Sequence, residues 1–171
     1  MSLYKLVTAL IAWTFVFMLA ACASSDPDPK TPKEPLRLDM SVKAASDVNP
    51  DDRGRAAPIV VRVYELRNAE TFKSQDFISL QEKDKALLAD DINARDEFLL
   101  RPGDSKVFRR KPDSTTHVIG VLAAYRDLPN AVWRTTYDLP EARDAAWYRR
   151  DSKLHLNIIL GAKAIKVTES K

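Results

Sequence analysis

From Leu36 to Ala44 the chain alternates without a break. Leu36, Leu38, Met40, Val42 and Ala44 are apolar, and Arg37, Asp39, Ser41 and Lys43 between them are polar. Period-two alternation of this length places one face of a strand on a core and the other in water. The same residues on a helix would be scattered around its circumference. Further strand patterns follow. Ile59–Leu66 is apolar on both faces near its centre, and so is His117–Arg126. A strand covered on both sides reads this way. Glu97–Arg101 and Ser105–Arg109 flank the turn signal Pro102-Gly103. Val132–Leu139 sets Trp133, Thr135 and Tyr137 on one face. Leu154, Leu156, Ile158 and Leu160 share a face of another strand, and Ala164–Val167 closes the series. Seven or eight short strands joined by turns predict a mainly β fold, a two-sheet β-sandwich.

Residues 69–93 break the rhythm. Phe72, Phe77, Leu80, Leu87, Leu88 and Ile92 recur at helical intervals among charged residues, without Pro or Gly. One or two short amphipathic helices are expected after the second strand, with aromatic faces that pack on the core. Ser79-Leu80-Gln81-Glu82 has capping-box spacing and predicts that a second helix begins there. Residues 46–57, Ser-Asp-Val-Asn-Pro-Asp-Asp-Arg-Gly-Arg-Ala-Ala, form a polar loop with turn chemistry at Asn49-Pro50 and Gly54. It is longer than the two to about five residues usual in a hairpin, and long ordered loops on a rigid sheet often carry function.

The N-terminus has a different composition. Residues 1–21 hold one charged side chain, Lys5, and Leu6–Ala21 is apolar apart from Thr8 and Thr14. A basic start followed by such a run reads as an export signal. Its sixteen residues would span about 24 Å as a helix, short of the roughly 30 Å hydrocarbon core. The run ends in Leu19-Ala20-Ala21-Cys22, which resembles the bacterial lipobox of an aliphatic residue, two small residues and Cys. That resemblance implies a diacylglycerol thioether on the Cys22 sulfur, cleavage before Cys22, and an N-acyl chain such as palmitate on the new amine. One acyl chain binds membranes only marginally, so two or three make a stable anchor. In lipoproteins of this type an Asp after the Cys favours inner-membrane retention, so with Ala23 there the resemblance implies the periplasmic face of the outer membrane. Residues 23–35 contain Pro27, Pro29, Pro32 and Pro35 and no large apolar side chain. Such a segment favours extended polyproline II and reaches roughly 40 Å, a tether. The chain thus divides into a signal peptide (1–21), a lipidated Cys with its tether (22–35) and one sandwich domain (36–171).

Composition excludes much of the rest. The four glycines are scattered, so no phosphate cradle can be written. A zinc site of Cys and His ligands would consume the one Cys and both His and still need a carboxylate. A single Cys forms no disulfide within one chain. The net charge of +3 is too small to point to nucleic acid. His117 and His155 stand apart from any nucleophile motif and read as edge or surface histidines. No catalytic site, no metal and no cofactor beyond the covalent lipid are expected. The runs Arg109-Arg110-Lys111 and Arg149-Arg150 read by default as a solvated rim, with lipid headgroups or an acidic face of a partner as the alternative; Trp147-Tyr148 beside the latter is left unassigned.

The ordered set of segments resembles the TssJ family, outer-membrane lipoproteins of bacterial type VI secretion. The matching pieces are Cys22, Val-Asn-Pro-Asp at 48–51, Pro-Ile-Val-Val-Arg-Val-Tyr-Glu-Leu at 58–66, and Phe72 with Asp76-Phe77 and Leu80. Leu-Arg-Pro-Gly-Asp at 100–104, Ile-Gly-Val-Leu-Ala-Ala-Tyr-Arg-Asp at 119–127 and Trp133-Arg134 complete it. The resemblance implies a transthyretin-like sandwich with added helices and a structural role in the envelope-spanning membrane complex, alongside other copies. It implies binding of the periplasmic C-terminal region of the inner-membrane component TssM. It assigns that contact in part to the loop between the first two strands, with Asn49, Pro50, Asp51, Asp52 and Arg53 at its tip. It implies no small-molecule substrate. A periplasmic lipoprotein that binds a small ligand or glycan, or a lipid-anchored hydrolase, are the alternatives that the residues alone leave open.

Overall fold

A computed structural model of the chain describes residues 33–145 and 152–170. Cys22, most of the tether and Trp147–Arg150 lie outside the described residues. Eight strands form two four-stranded sheets. The first has the order β4-β1-β7-β8, built from β1 (Leu36–Ala44), β4 (Ser105–Arg110), β7 (Ser152–Leu160) and β8 (Ile165–Ser170). The second has the order β3-β2-β5-β6, built from β2 (Ile59–Leu66), β3 (Ile92–Leu100), β5 (Val118–Ala123) and β6 (Arg134–Asp138). All neighbours are antiparallel except β1 and β7. The sandwich expected from the alternation is the fold observed.

The core follows the period-two rule. Leu38, Met40, Val42 and Ala44 of β1 face Ile59, Val61 and Val63 of β2 and Ile119 and Val121 of β5, with Leu154, Leu156, Ile158 and Leu160 of β7 completing the layer. The strands that are apolar on both faces are explained by a second, smaller core on the outer side of the second sheet. There Tyr64, Leu66, Val118 and Leu122 are covered by Phe72 of α1 (Glu70–Ser74) and Leu80 of α2 (Phe77–Leu87). Gly120 sits beneath this lid. A Cβ on it would lie 3.0 Å from Leu66 Cδ1 and 3.2 Å from Phe72 Cε1. Gly120→Val is therefore expected to destabilise the domain by about 1–3 kcal/mol through overpacking. An unchanged urea midpoint would count against this close fit.

The helical lid is fixed by charge as well as packing. Asp84 of α2, nearly fully buried, accepts from Tyr64 Oη at 2.8 Å and Arg95 Nε at 2.6 Å, and Arg62 Nη1 lies 3.3 Å away. Arg62 also donates to the carbonyls of Leu80 and Gln81 at 3.0 and 2.9 Å and to Glu97 at 2.6 Å. On the other side Arg134, stacked 4.7 Å above the Trp133 ring, donates to the carbonyls of Phe72 and Gln75 at the end of α1.

Three expectations are corrected. Helix α2 begins three residues earlier than the capping-box reading: Asp76, not Ser79, is the N-cap and accepts from Ser79 N at 3.0 Å and from the Ser79 hydroxyl at 2.6 Å. Ile92 opens β3 rather than continuing a helix, because it pairs with Leu66 across the sheet. Arg110 is not a solvated rim residue. It turns inward from β4 and bridges the buried Glu65 at 3.0 Å and Asp96 at 2.8 Å, both on the other sheet. Arg109 and Lys111 are exposed as expected.

A loop-bearing end of the sandwich as the candidate partner site

The segment 46–57 leaves β1 in one sheet and enters β2 in the other. Its length follows from this crossing, which no hairpin turn could make. The loop is held at its base by two residues. Val48 is fully buried in the main core. Asn49 is 4% exposed and has φ of 50°, the left-handed region that Asn tolerates better than other side chains do. Its amide donates to Pro58 O at 2.9 Å, and its Oδ1 accepts from the backbone N–H of Arg126 at 2.8 Å. One side chain thus ties the β1–β2 loop to its own exit and to the segment that follows β5.

Above this base the tip is closed on itself. Asp51 Oδ1 accepts from the N–H groups of Arg53 and Arg55, each at 2.9 Å, and its Oδ2 accepts from Arg55 Nε at 2.8 Å. Gly54, at φ 73°, lets the chain reverse, with its N–H on Asp51 O at 2.8 Å. The Arg55 hydrogen bonds hold the Asp51 carboxyl below its ordinary pKa, with the charge of Arg126 adding to the effect. Asp52 and Arg53 are exposed at the apex, and neither side chain has a partner among the described residues.

Two other connections meet this loop. Tyr125 and Asp127 follow β5, and Lys163 lies in the β7–β8 turn. Buried Tyr125 donates its hydroxyl to Gly161 O at 3.2 Å, and burial raises its pKa. Lys163 Nζ donates to Asp127 Oδ2 at 2.8 Å and holds that carboxyl below its usual range, with Asn130 assisting. Together the three connections line a recess of about 480 Å³ bounded by Asn49, Asp51, Arg126, Asp127 and Lys163. Its walls are charged and its apolar lining is sparse, unlike an ordinary small-molecule pocket.

The sequence-derived tip residues are therefore together, but not equivalent. Asp52 and Arg53 face solvent, Pro50 and Asp51 are half-buried, and Asn49 lies inside. Sequence reasoning did not find Asp127 or Lys163 as neighbours, since only the tertiary fold brings three separate connections to one end. Among the described residues no cluster of His, Cys, Asp and Glu is arranged to hold a metal ion. His155 is half exposed on β7, 3.6 Å from Asp39.

Residues 36–163 match the sequence model of the type VI secretion lipoproteins (VasD, EvfM, TssJ). The crystal structure of the type VI secretion lipoprotein TssJ1 from Pseudomonas aeruginosa aligns at 37% identity and a TM-score of 0.72, over 80% of this chain and 98% of that one. The Serratia marcescens protein Lip, a membrane-bound component of the type VI secretion system, aligns at 29% identity and a TM-score of 0.69, over 80% of this chain and 99% of that one. A chain of a solved type VI membrane complex shares the fold at 22% identity and a TM-score of 0.64, over 80% of this chain and 99% of its own. Curated protein sequences yield no match.

Proposed function

Since the chain belongs to the TssJ family of type VI secretion lipoproteins, a structural and not an enzymatic family, we propose that it holds the secretion channel to the outer membrane. Cys22 carries the lipid, residues 23–35 act as the tether, and the β1–β2 loop binds the periplasmic C-terminal region of a TssM-like inner-membrane protein. The observation that supports the loop role is the double hydrogen bond of Asn49, which holds the loop in one shape before any partner arrives. A preformed loop loses little conformational entropy on binding. It offers Asp52 and Arg53 as charged groups with no partner to give up among the described residues. Asn49 acts from below as a positioning residue.

The arrangement of β1 fits this division of labour. The tether enters at Leu36 and the loop leaves after Ala44, at the other end of the strand. Eight residue steps at about 3.3 Å separate the two ends by about 26 Å, so a partner on the loop is clear of the chain's entry point. Binding to the periplasmic region of the TssM-like protein, measured by calorimetry, tests the reading. Replacing residues 49–53 with a short Gly-Ser turn is expected to abolish measurable binding. Asn49→Ala leaves the Pro58 carbonyl and the Arg126 N–H without partners, each worth about 1–3 kcal/mol. It is expected to weaken binding by at least about tenfold and to speed amide exchange in both connected loops. An unchanged affinity in the Gly-Ser variant would overturn the loop assignment.

A further inference from the structure

The two outer faces of the sandwich are unlike. The outer face of the second sheet is covered by α1 and α2. Among the described residues no helix or loop packs over the outer face of the first sheet, and every strand places a cation on it. Lys43 of β1 lies opposite Ser105, Arg109 of β4 opposite Asp39, and Lys153 of β7 opposite Arg37; Lys166 of β8 lies opposite Ile159. The four cations Lys43, Arg109, Lys153 and Lys166 are exposed, and none has an ion pair among the described residues. Arg37 adds a fifth positive charge to the face, and among the described residues Asp39 is its one carboxylate. Two exposed apolar side chains, Val107 (60%) and Ile159 (40%), stand among them.

We propose that this face docks on an anionic phospholipid surface. Four strands spaced about 4.8 Å apart spread the charges over a platform about 14 Å wide. A diffuse planar array fits the diffuse charge of a bilayer, where each Lys or Arg near the surface strengthens binding by about fivefold. Val107 and Ile159 supply the apolar contacts that interfacial surfaces combine with basic ones. The chain outside the domain leads to the same place, because the tether enters β1, a central strand of this sheet. The face would then lie along the membrane, with the helical lid turned toward the periplasm and the β1–β2 loop open at the side. The inference does not rest on the partner assigned to the loop, and its test uses protein that carries no acyl chain.

The chain from Ala23 to Lys171 retains all eight strands and both cores, and the crystallised Pseudomonas relative is matched by this domain over 98% of its length. That segment, without the lipidated Cys, is sedimented with phosphatidylglycerol-rich vesicles and with pure phosphatidylcholine vesicles. Binding is expected to the former alone and to disappear in about 1 M salt, where screening acts within about 3 Å. Lys43→Gln, Arg109→Gln, Lys153→Gln and Lys166→Gln combined are expected to lower the partition coefficient by on the order of several hundredfold. Removing as many cations elsewhere (Lys73→Gln, Lys83→Gln, Lys85→Gln and Arg101→Gln) is expected to change it by less than about fivefold. Circular dichroism confirms that each variant folds. Equal losses in the two variants would show net charge alone at work and overturn the proposal. Absent vesicle binding would overturn it too, including where the face proves to bind an acidic protein.

Discussion

Asp84→Ala is expected to lower the free energy of unfolding by about 3 kcal/mol, toward the lower end of the range for breaking a buried ion pair. Three groups converge on this carboxylate: the Tyr64 hydroxyl, the Arg95 guanidinium and the Arg62 guanidinium. Removing it leaves the buried hydroxyl without its acceptor and two guanidinium groups short of an anion. The loss is not at the top of the range because Glu97 remains bonded to both Arg62 and Arg95, at 2.6 Å each. Arg62 also keeps its two carbonyl partners on α2. Denaturant unfolding measures the effect, and a loss below about 1 kcal/mol would show that packing alone seats the lid.

The same cluster sets a pH dependence. Burial works to raise the Asp84 pKa, but the hydrogen bonds from Tyr64 and Arg95 and the charges of Arg95 and Arg62 outweigh it, so the folded value lies below 3.8. Glu97 is also lowered, chiefly by its hydrogen bond from Arg62. A carboxylate whose pKa falls on folding contributes stability that is complete above its unfolded value. That contribution is lost as pH drops through the folded one. The lid is therefore expected to loosen below about pH 4. It is expected to hold through neutrality, where Tyr64 also stays protonated because burial and Asp84 push its pKa to about 12.

The strands were legible because burial on one or both faces writes itself directly into residue spacing. Leu36–Ala44 and Leu154–Leu160 needed nothing beyond the period of two. The helix boundary was less legible, since Ser79-Leu80-Gln81-Glu82 and Asp76-Phe77-Ile78-Ser79 both offer a capping side chain three residues ahead of an N–H. The earlier of the two, Asp76, is the cap formed, and Ser79 became the group that is capped. Ile92 sits four residues after Leu88, so helix and strand readings fit it equally. Pairing with Leu66 decides it, and that contact is invisible along the chain. Arg110 fails a local rule for the same reason: its carboxylate partners come from the opposite sheet. At the loop-bearing end, turn chemistry and length marked residues 46–57. Nothing local distinguished the buried Asn49 from the exposed Arg53, and nothing linked either to Lys163.

Cys22→Ser is expected to remove the acyl label completely and to empty the outer-membrane fraction of the protein, on the proposed reading of the N-terminus. A serine hydroxyl cannot form the thioether, and cleavage before position 22 follows from that modification. The chain contains no second Cys to substitute for it. The size of the effect follows from what the lipid contributes. At about 0.8 kcal/mol per buried CH₂, a single chain gives only reversible membrane binding, whereas two or three make release negligible. The basic sheet face cannot replace them, since its attraction is salt-screened and reversible. Metabolic labelling with a palmitate analogue and density-gradient fractionation read the two consequences separately. Continued labelling of the Ser variant would place the modification elsewhere. Loss of label with undiminished outer-membrane recovery at high salt would show that binding to a membrane-embedded partner, rather than the lipid, holds the protein there.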